Sequence, residues 1–140
     1  MTQRLTQSLA KGMFFMDENQ ISNLIIGCAI EVHRVLGPGL LESAYETCLT
    51  YELREKGLTA QQQIPVPVIY KEVKLEHGYR MDLLVEGRVV VEIKSVDFIS
   101  DIHEAQLLTY LKLADHRLGL ILNFNTQMLK NGIKRLVNRL

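Results

Sequence analysis

The sequence has little cysteine, no excess charge of either sign and no long hydrophobic run. Its two cysteines, Cys28 and Cys48, have no partner at metal-ligand spacing, so we expect free thiols in a reducing cytoplasm. Sixteen basic residues balance sixteen acidic ones, which argues against strong nonspecific binding to nucleic acid but leaves room for a local basic patch. No apolar run approaches the roughly 20 residues that a membrane span needs. These absences favour a cytoplasmic protein with no membrane partner.

The composition is that of a globular protein, with 47% hydrophobic and 23% charged residues. A chain of 140 residues fits one domain and can bury a core without disulfides. Regular patterning begins at Asp17. We therefore expect residues 1–16 to form a flexible N-terminal extension and residues 17–140 to form a single domain.

Hydrophobic periodicity predicts the order of the elements. Apolar residues from Glu18 to Leu36 recur at spacings of three and four, which indicates an amphipathic helix, and Asp17 with Gln20 can form its capping box. Further helices are predicted over residues 41–56 and 101–114. Alternating or apolar stretches predict strands over residues 61–70, 79–85, 89–96 and 119–124, with a turn over residues 71–77 and an ambiguous tail over residues 126–140. The first of these strands carries Pro65 and Pro67, which indicates an edge or bulged strand.

Three charged residues interrupt the two otherwise apolar strands on either side of Gly87. If residues 86–88 form a three-residue loop, Asp82 lies opposite Glu92, and strand alternation points Glu92 and Lys94 the same way. A loop of two or four residues moves Asp82 off this face unless a bulge restores it. Opposed carboxylates repel, and a raised pKa or a hard cation such as Mg²⁺ offsets the repulsion. The alternative is an ordinary Glu–Lys pair on a solvated sheet face.

Motifs in and around this hairpin resemble those of known nucleases. Asp82 followed by Glu92-Ile93-Lys94 resembles the D…(D/E)-x-K signature of the PD-(D/E)XK nuclease superfamily. Gln106 and Tyr110 on the next helix match the Q-x-x-x-Y motif of its RecB-like branch. Residues 39–45, GLLESAY, contain the motif that names the GxxExxY protein family. The three motifs stand in the order that these families share.

The resemblance covers residues 21–137 and implies a fold. It implies an α/β, PD-(D/E)XK nuclease-like (restriction-endonuclease-like) core of order α-β-β-β-α-β, with an extra N-terminal helix. Met81 departs from the pattern, since it stands where the superfamily name has proline.

The resemblance also implies a metal site. Asp82 and Glu92 would ligate Mg²⁺ (or Mn²⁺), and the backbone carbonyl of Ile93 would be a third oxygen ligand. Glu42 would be the acidic helical residue of the superfamily site, with a metal-binding or catalytic role; helix-dipole stabilisation is its alternative. Lys94 would be the catalytic lysine.

Several other residues are candidates for the site. Gln106 and Tyr110 are four apart, which places them on one helical face, and the resemblance implies that they face the site as catalytic residues. His33 is a further candidate ligand, because some RecB-type nucleases use a helical histidine and imidazole suits Mn²⁺; a structural histidine with satisfied hydrogen bonds is the alternative. The tail carries cations that are either solvated or in contact with phosphate: Lys130, Lys134, Arg135 and Arg139.

These features together predict a metal-dependent nuclease that hydrolyses phosphodiester bonds in nucleic acid, and we expect the nucleic acid to be DNA. The alternatives are a catalytically inactive nuclease-fold module that binds nucleic acid or a partner protein, and a nuclease that acts only within a larger complex. Many small enzymes of this fold dimerise, so a homo-oligomer is a further expectation.

Overall fold

The computed structural model describes residues 15–75 and 78–140. Nearly all of the predicted N-terminal extension and the last two residues of the predicted 71–77 turn lie outside the described residues. The helices are α1 (Glu18–Leu36), α2 (Glu42–Glu55) and α3 (Asp101–Ala114), and a short 3-10 helix spans Leu129–Gly132. The strands are β1 (Ala60–Pro65), β2 (Val68–Tyr70), β3 (Val73–Leu75), β4 (Arg80–Val85), β5 (Val89–Lys94), β6 (Leu118–Asn123) and β7 (Ile133–Val137).

A five-stranded mixed sheet of order β1-β4-β5-β6-β7 forms the centre of the domain. Only β5 and β6 pair in parallel, because α3 crosses over between them, and the other neighbours pair antiparallel. The short strands β2 and β3 form a separate hairpin. This arrangement confirms the predicted α/β class and the predicted α-β-β-β-α-β core, with α1 as the extra N-terminal helix.

Helices cover both faces of the sheet. Helices α1 and α2 pack on one face, where Leu83 and Val91 belong to the core, and α3 packs on the other, where Leu84 and Val90 do. Strand alternation explains this division, since neighbouring residues of β4 and β5 point to opposite faces. Asp82, Glu92 and Lys94 lie on β4 and β5, in the sheet between these two layers of helices.

The predicted helix boundaries hold closely. Helix α1 has the predicted bounds, and its capping box is present, with Asp17 Oδ1 accepting from Gln20 N at 2.8 Å and Gln20 Oε1 accepting from Asp17 N at 2.9 Å. Helix α3 also has the predicted bounds, and α2 is one residue shorter at each end.

Residues 61–70 were predicted to form an edge or bulged strand, and β1 does lie at the edge of the sheet. The prediction of one continuous strand was wrong, as was that of a turn over residues 71–77. The chain leaves the main sheet after Pro65, and β2 pairs instead with β3 inside the predicted turn. Pro65 and Pro67 have no N–H to donate to a ladder, which explains the break. Val66 N donates to Tyr79 O at 2.9 Å and holds the hairpin against the start of β4.

Both cysteines are free, with Cys28 buried and Cys48 half-buried. Among the described residues, we find no helix with the length and apolar character that a membrane crossing requires.

Candidate active site where β4 and β5 separate

The register of the β4–β5 hairpin is the predicted one. Leu83 pairs with Val91 and Val85 with Val89, which leaves residues 86–88 as the loop. Both Glu86 and Gly87 have positive φ, at 54° and 64°, as a tight hairpin turn requires. Asp82 and Glu92 are therefore the residues just beyond the last regular pair of the ladder.

Beyond that pair, carboxylates take the place of backbone carbonyls as acceptors between the strands. Glu92 Oε2 accepts from Asp82 N at 2.9 Å, and Asp82 Oδ2 accepts from Ile93 N at 2.8 Å. Strand β4 is irregular here. Met81 and Leu84 both belong to the core on the α3 face, whereas regular alternation would place residues three apart on opposite faces. Asp82 and Glu92 thus lie together, as the predicted register implies, although side-chain hydrogen bonds replace the regular ladder at this point.

Burial makes this pair of acids electrostatically unusual. Only 5% of Glu92 is exposed, and burial, reinforced by the charge of Asp82, raises the pKa of the Glu92 carboxyl to about 8. Burial also raises the pKa of Asp82, against the opposing effects of the Ile93 N–H and the Lys94 charge. Since the charge of Lys94 lowers the pKa of both carboxyls, all three groups share one environment.

The main chain around Lys94 is held on its other side by β6. Phe124 N donates to Lys94 O at 3.0 Å, and the buried amide of Asn123 bonds both Val96 N, at 3.1 Å, and Val96 O, at 2.9 Å. The N–H and C=O of one strand residue point to the same side. The Ile93 carbonyl therefore points, like its N–H, toward β4 and Asp82.

Glu42 lies at the first position of α2 and is exposed. Its Oε2 accepts from Ser95 N at 3.1 Å, and Ser95 Oγ donates to Leu40 O at 2.8 Å, so the start of α2 is fastened to the end of β5. The charge of Glu42 raises the pKa of Asp82. Glu42 thus borders the acid pair while its carboxylate is engaged with the main chain beside Lys94.

Two neighbours of the acid pair were not among the predicted site residues. Glu46 Oε1 accepts from Gln63 Nε2 at 2.8 Å, and the same amide nitrogen lies 3.5 Å from Asp82 Oδ1. Burial raises the pKa of Glu46, as does the charge of Asp82. Gln63 has a φ of 54°, which is uncommon for a non-glycine residue and found more often at functional sites.

A sequence signal existed for one of these two residues. Glu46 lies four residues after Glu42, so helical periodicity places both on one face of α2. Nothing in the sequence marks Gln63, because its role depends on a backbone conformation that residue type does not reveal.

The structure brings Tyr110 to the acid pair from the opposite face of the sheet. Tyr110 is buried, and its pKa is raised first by burial and then by the charges of Glu92 and Asp82. Gln106 is exposed one turn earlier on α3 and lines the same groove as Tyr110. Tyr110 therefore borders the carboxylates, and Gln106 lies beside Tyr110 in the shared groove.

His33 lies elsewhere, in contact with the loop after β6. It is buried, its Nε2 is 2.7 Å from Thr126 O, and its ring lies 6.4 Å from that of Phe124. These contacts are those of a structural histidine.

Three of the four tail cations have partners within the domain. Lys134 Nζ lies 4.0 Å from Glu104 Oε2, Arg135 donates to Asn19, and Arg139 Nη2 lies 2.5 Å from Asp115 Oδ1. The tail itself forms the 3-10 helix and the edge strand β7.

The family model of the PD-(D/E)XK nuclease superfamily matches residues 19–136, most of the chain. The chain belongs to the PD-(D/E)XK nuclease superfamily. Nucleases of this superfamily generally depend on a divalent metal, and membership suggests nuclease-type activity on nucleic acid. No curated protein and no solved structure matches the chain.

The donor chemistry of this PD-(D/E)XK site fits a hard divalent cation. Its acids offer carboxylate oxygens, which Mg²⁺ prefers, and they raise one another's pKa in a way that a cation would offset. Over residues 15–75 and 78–140, no three acidic, histidine or cysteine side chains stand close enough together to hold a metal. The Glu92 carboxylate instead accepts from Asp82 N and the Asp82 carboxylate from Ile93 N, so metal binding would require them to exchange those hydrogen bonds.

Proposed function

We propose that the protein is a metal-dependent nuclease that hydrolyses phosphodiester bonds in DNA. The observation that carries this proposal is the pair of crossed hydrogen bonds that holds the Asp82 and Glu92 carboxylates together, with Lys94 beside them. A buried carboxyl pair costs free energy and contributes no hydrophobic packing. Its cost is understandable if the pair serves to hold a cation.

Asp82 and Glu92 would hold Mg²⁺ or Mn²⁺, with the Ile93 carbonyl as a third oxygen and Glu42 at the border of the site. A divalent cation supplies positive charge next to the scissile phosphate and lowers the pKa of water. We assign Glu46 to the same set, since Gln63 holds its carboxylate near Asp82. We leave His33 out, because its ring nitrogen is engaged with Thr126.

Lys94, Gln106 and Tyr110 would act on the substrate. The ammonium of Lys94, two residues after Glu92, would stabilise charge that develops on the phosphate oxygens or position the attacking water. Gln106 and Tyr110 approach from α3, where an amide and a hydroxyl can donate hydrogen bonds to a phosphate. The acids and α3 would thus lie on two sides of the bound phosphate.

The test is cleavage of labelled single-stranded and double-stranded DNA, with RNA of the same sequences, in Mg²⁺ or Mn²⁺. We expect the wild type to cut DNA and both Glu92→Gln and Lys94→Ala to lose at least about a hundredfold in rate, since each removes a charge used in the transition state. Glu31→Gln, at a half-buried position of α1, and Lys112→Ala, at an exposed position of α3, are matched controls and should cut like the wild type.

Equal cleavage by the wild type, Glu92→Gln and Lys94→Ala would contradict the assigned site. A wild type that binds DNA in the presence of Mn²⁺ but cuts neither DNA nor RNA would support the alternative, a catalytically inactive module that binds nucleic acid.

A further inference from the structure

Tyr45 lies on α2 three residues after Glu42, and its side chain is fully buried. Its hydroxyl bonds the loop between α1 and α2 at two points, since Tyr45 Oη donates to Gly37 O at 2.6 Å and accepts from Leu40 N at 3.1 Å. A buried hydroxyl needs hydrogen-bond partners, and here both partners belong to the loop. One side chain therefore fixes the main chain of residues 37–40.

The residues of this loop only weakly determine where α2 begins. Gly39 has a φ of 101°, a conformation that glycine adopts freely but at a large cost in conformational entropy. Leu41, the N-cap residue of α2, has no side-chain oxygen to bond the first N–H groups of the helix. The position of Glu42, the first residue of α2, therefore depends on contacts from outside the loop, such as those of Tyr45.

The loop is also bonded to the end of β5, beside the acid pair. Ser95 Oγ donates to Leu40 O at 2.8 Å, and Ser95 N donates to Glu42 Oε2 at 3.1 Å. Tyr45 thus bonds the N–H of Leu40, and Ser95 bonds its C=O. With Leu40 held on both sides, the carboxylate of Glu42, two residues later, is directed to the end of β5.

The ring of Tyr45 reaches a second part of the site. It stacks on Phe124, with ring centroids 4.4 Å apart and planes 8° from parallel. Phe124 N in turn donates to Lys94 O at 3.0 Å. The hydroxyl of Tyr45 therefore contacts the loop before Glu42, while its ring contacts the residue that holds the main chain of Lys94. Because the two contacts use different atoms, a substitution can remove one and keep the other.

We propose that Tyr45 is a positioning residue, whose hydroxyl holds the loop before α2 so that the Glu42 carboxylate stays at the end of β5 beside the acid pair. Tyr45 is buried under the loop and acts through Glu42, not on the cation or the DNA. This inference rests on the proposed function, since it names a residue that arranges the proposed metal site.

The first test is amide hydrogen exchange of the metal-free protein in EDTA, followed by NMR for each residue. Tyr45→Phe keeps the ring and its stacking but removes the hydroxyl. We expect exchange of the Ser95 amide, which is bonded to Glu42, to become about tenfold faster, the size of one lost hydrogen bond, while amides in the β5–β6 ladder keep their rates. A merely structural role would instead speed exchange throughout the domain.

The second test is calorimetric titration with Mn²⁺. Tyr45→Phe should weaken Mn²⁺ binding about tenfold, as the loss of a residue that orients a metal ligand generally does. In a Glu42→Gln background the same substitution should have no further effect, because Tyr45 acts through Glu42. Ser95→Ala frees Leu40 O and should likewise weaken binding, which keeps the inference testable if Tyr45→Phe folds poorly.

Tyr51→Phe is the matched control. It makes the same chemical change on the same helix, but 62% of Tyr51 is exposed, so both the exchange rates and the Mn²⁺ affinity should equal those of the wild type. Melting temperatures would show that each variant is folded.

Either a wild-type exchange rate at Ser95 or a wild-type Mn²⁺ affinity in Tyr45→Phe would overturn this inference, and so would additive losses of affinity in the double variant. DNA cleavage by the wild type would leave the nuclease proposal intact in each of these cases. A wild type that neither binds Mn²⁺ nor cuts DNA would contradict the nuclease proposal, and exchange at Ser95 would still decide whether Tyr45 positions Glu42.

Discussion

A buried carboxyl group beside another acid destabilises the folded chain whenever it ionises. Glu92 is such a group, since burial and the Asp82 charge raise its pKa from 4.5 to about 8. Between those two values the folded protein retains a proton that the unfolded chain releases. Stability of the metal-free protein should therefore fall as pH rises through this window, by at most about 1.4 kcal/mol per pH unit.

Glu92→Gln removes this ionisation, so its stability should change less with pH in the same window, and it should be more stable than the wild type near pH 8. Urea unfolding with EDTA across the window measures both free energies. Glu31→Gln, a substitution on α1 at a half-buried residue paired with Arg34, should keep the slope of the wild type. Parallel curves for the wild type and Glu92→Gln would show that Glu92 titrates normally.

At the residue scale, the sequence predicts which residue types form the site better than it predicts which residues contact them. Asp82, Glu92 and Lys94 lie together as expected, because hairpin register depends on a short loop that Gly87 makes recognisable. Glu46 and Gln63 are tertiary neighbours of Asp82. Their proximity depends on how α2 packs over β1 and β4, which local patterns do not specify.

At the element scale, substitutions of Gln63 in β1 distinguish the effect of backbone strain from the effect of the side chain. Glycine adopts a φ of 54° freely, so Gln63→Gly should keep the free energy of unfolding within about 1 kcal/mol of the wild type. Gln63→Val should destabilise by about 1–2 kcal/mol, since a β-branched residue is poorly tolerated there. Both variants lose the amide that bridges Glu46 and Asp82.

If that amide positions the acids for a cation, Gln63→Gly should bind Mn²⁺ several-fold more weakly despite its near-normal stability. Calorimetric titration measures the affinity, and chemical denaturation measures the stability. Gln61→Gly, an exposed substitution two residues earlier in the same strand, is the control for added backbone freedom. Unchanged Mn²⁺ affinity in Gln63→Gly would remove Gln63 from the site.

The 3-10 helix packs closely against the backbone of β6, which gives a second prediction at the element scale. A Cβ at Gly132 would lie 2.2 Å from the carbonyl oxygen of Asn123, the residue whose side chain holds Val96. Gly132→Ala should therefore destabilise by about 1–3 kcal/mol, since the main chain has to move. Gly27→Ala, in the open on α1, should stabilise by about 0.5–1 kcal/mol. Thermal melts measure both effects. Melting temperatures that shift in the same direction in the two variants would contradict these predictions.

The break between β1 and β2 shows where element prediction fails. The alternation of residues 61–70 indicated a strand, and the two prolines indicated an edge or a bulge. The chain instead changes sheets at Val66, and three-residue strands such as β3 are too short to show a period. The long helices α1 and α3 were predicted exactly, because several turns repeat the same apolar spacing.

At the scale of the whole molecule, the proposed site draws on every layer of the domain. Helix α2 supplies Glu42 and Glu46 from one face, α3 supplies Gln106 and Tyr110 from the other, and the sheet supplies the acid pair and Lys94 between them. The order of elements was predictable because it follows from local periodicity. The opening between β4 and β5 was not predictable, because it forms where the regular backbone pairing of the two strands ends.

The most direct measurement is anomalous diffraction from a crystal of the protein grown with Mn²⁺. We predict one peak bounded by the carboxylates of Asp82 and Glu92 and by the Ile93 carbonyl, with the hydrogen bond from Asp82 N to Glu92 released. An empty position there, with both carboxylates still bonded to the main chain, would contradict a metal-dependent nuclease site at this position, as would an ion held by other residues.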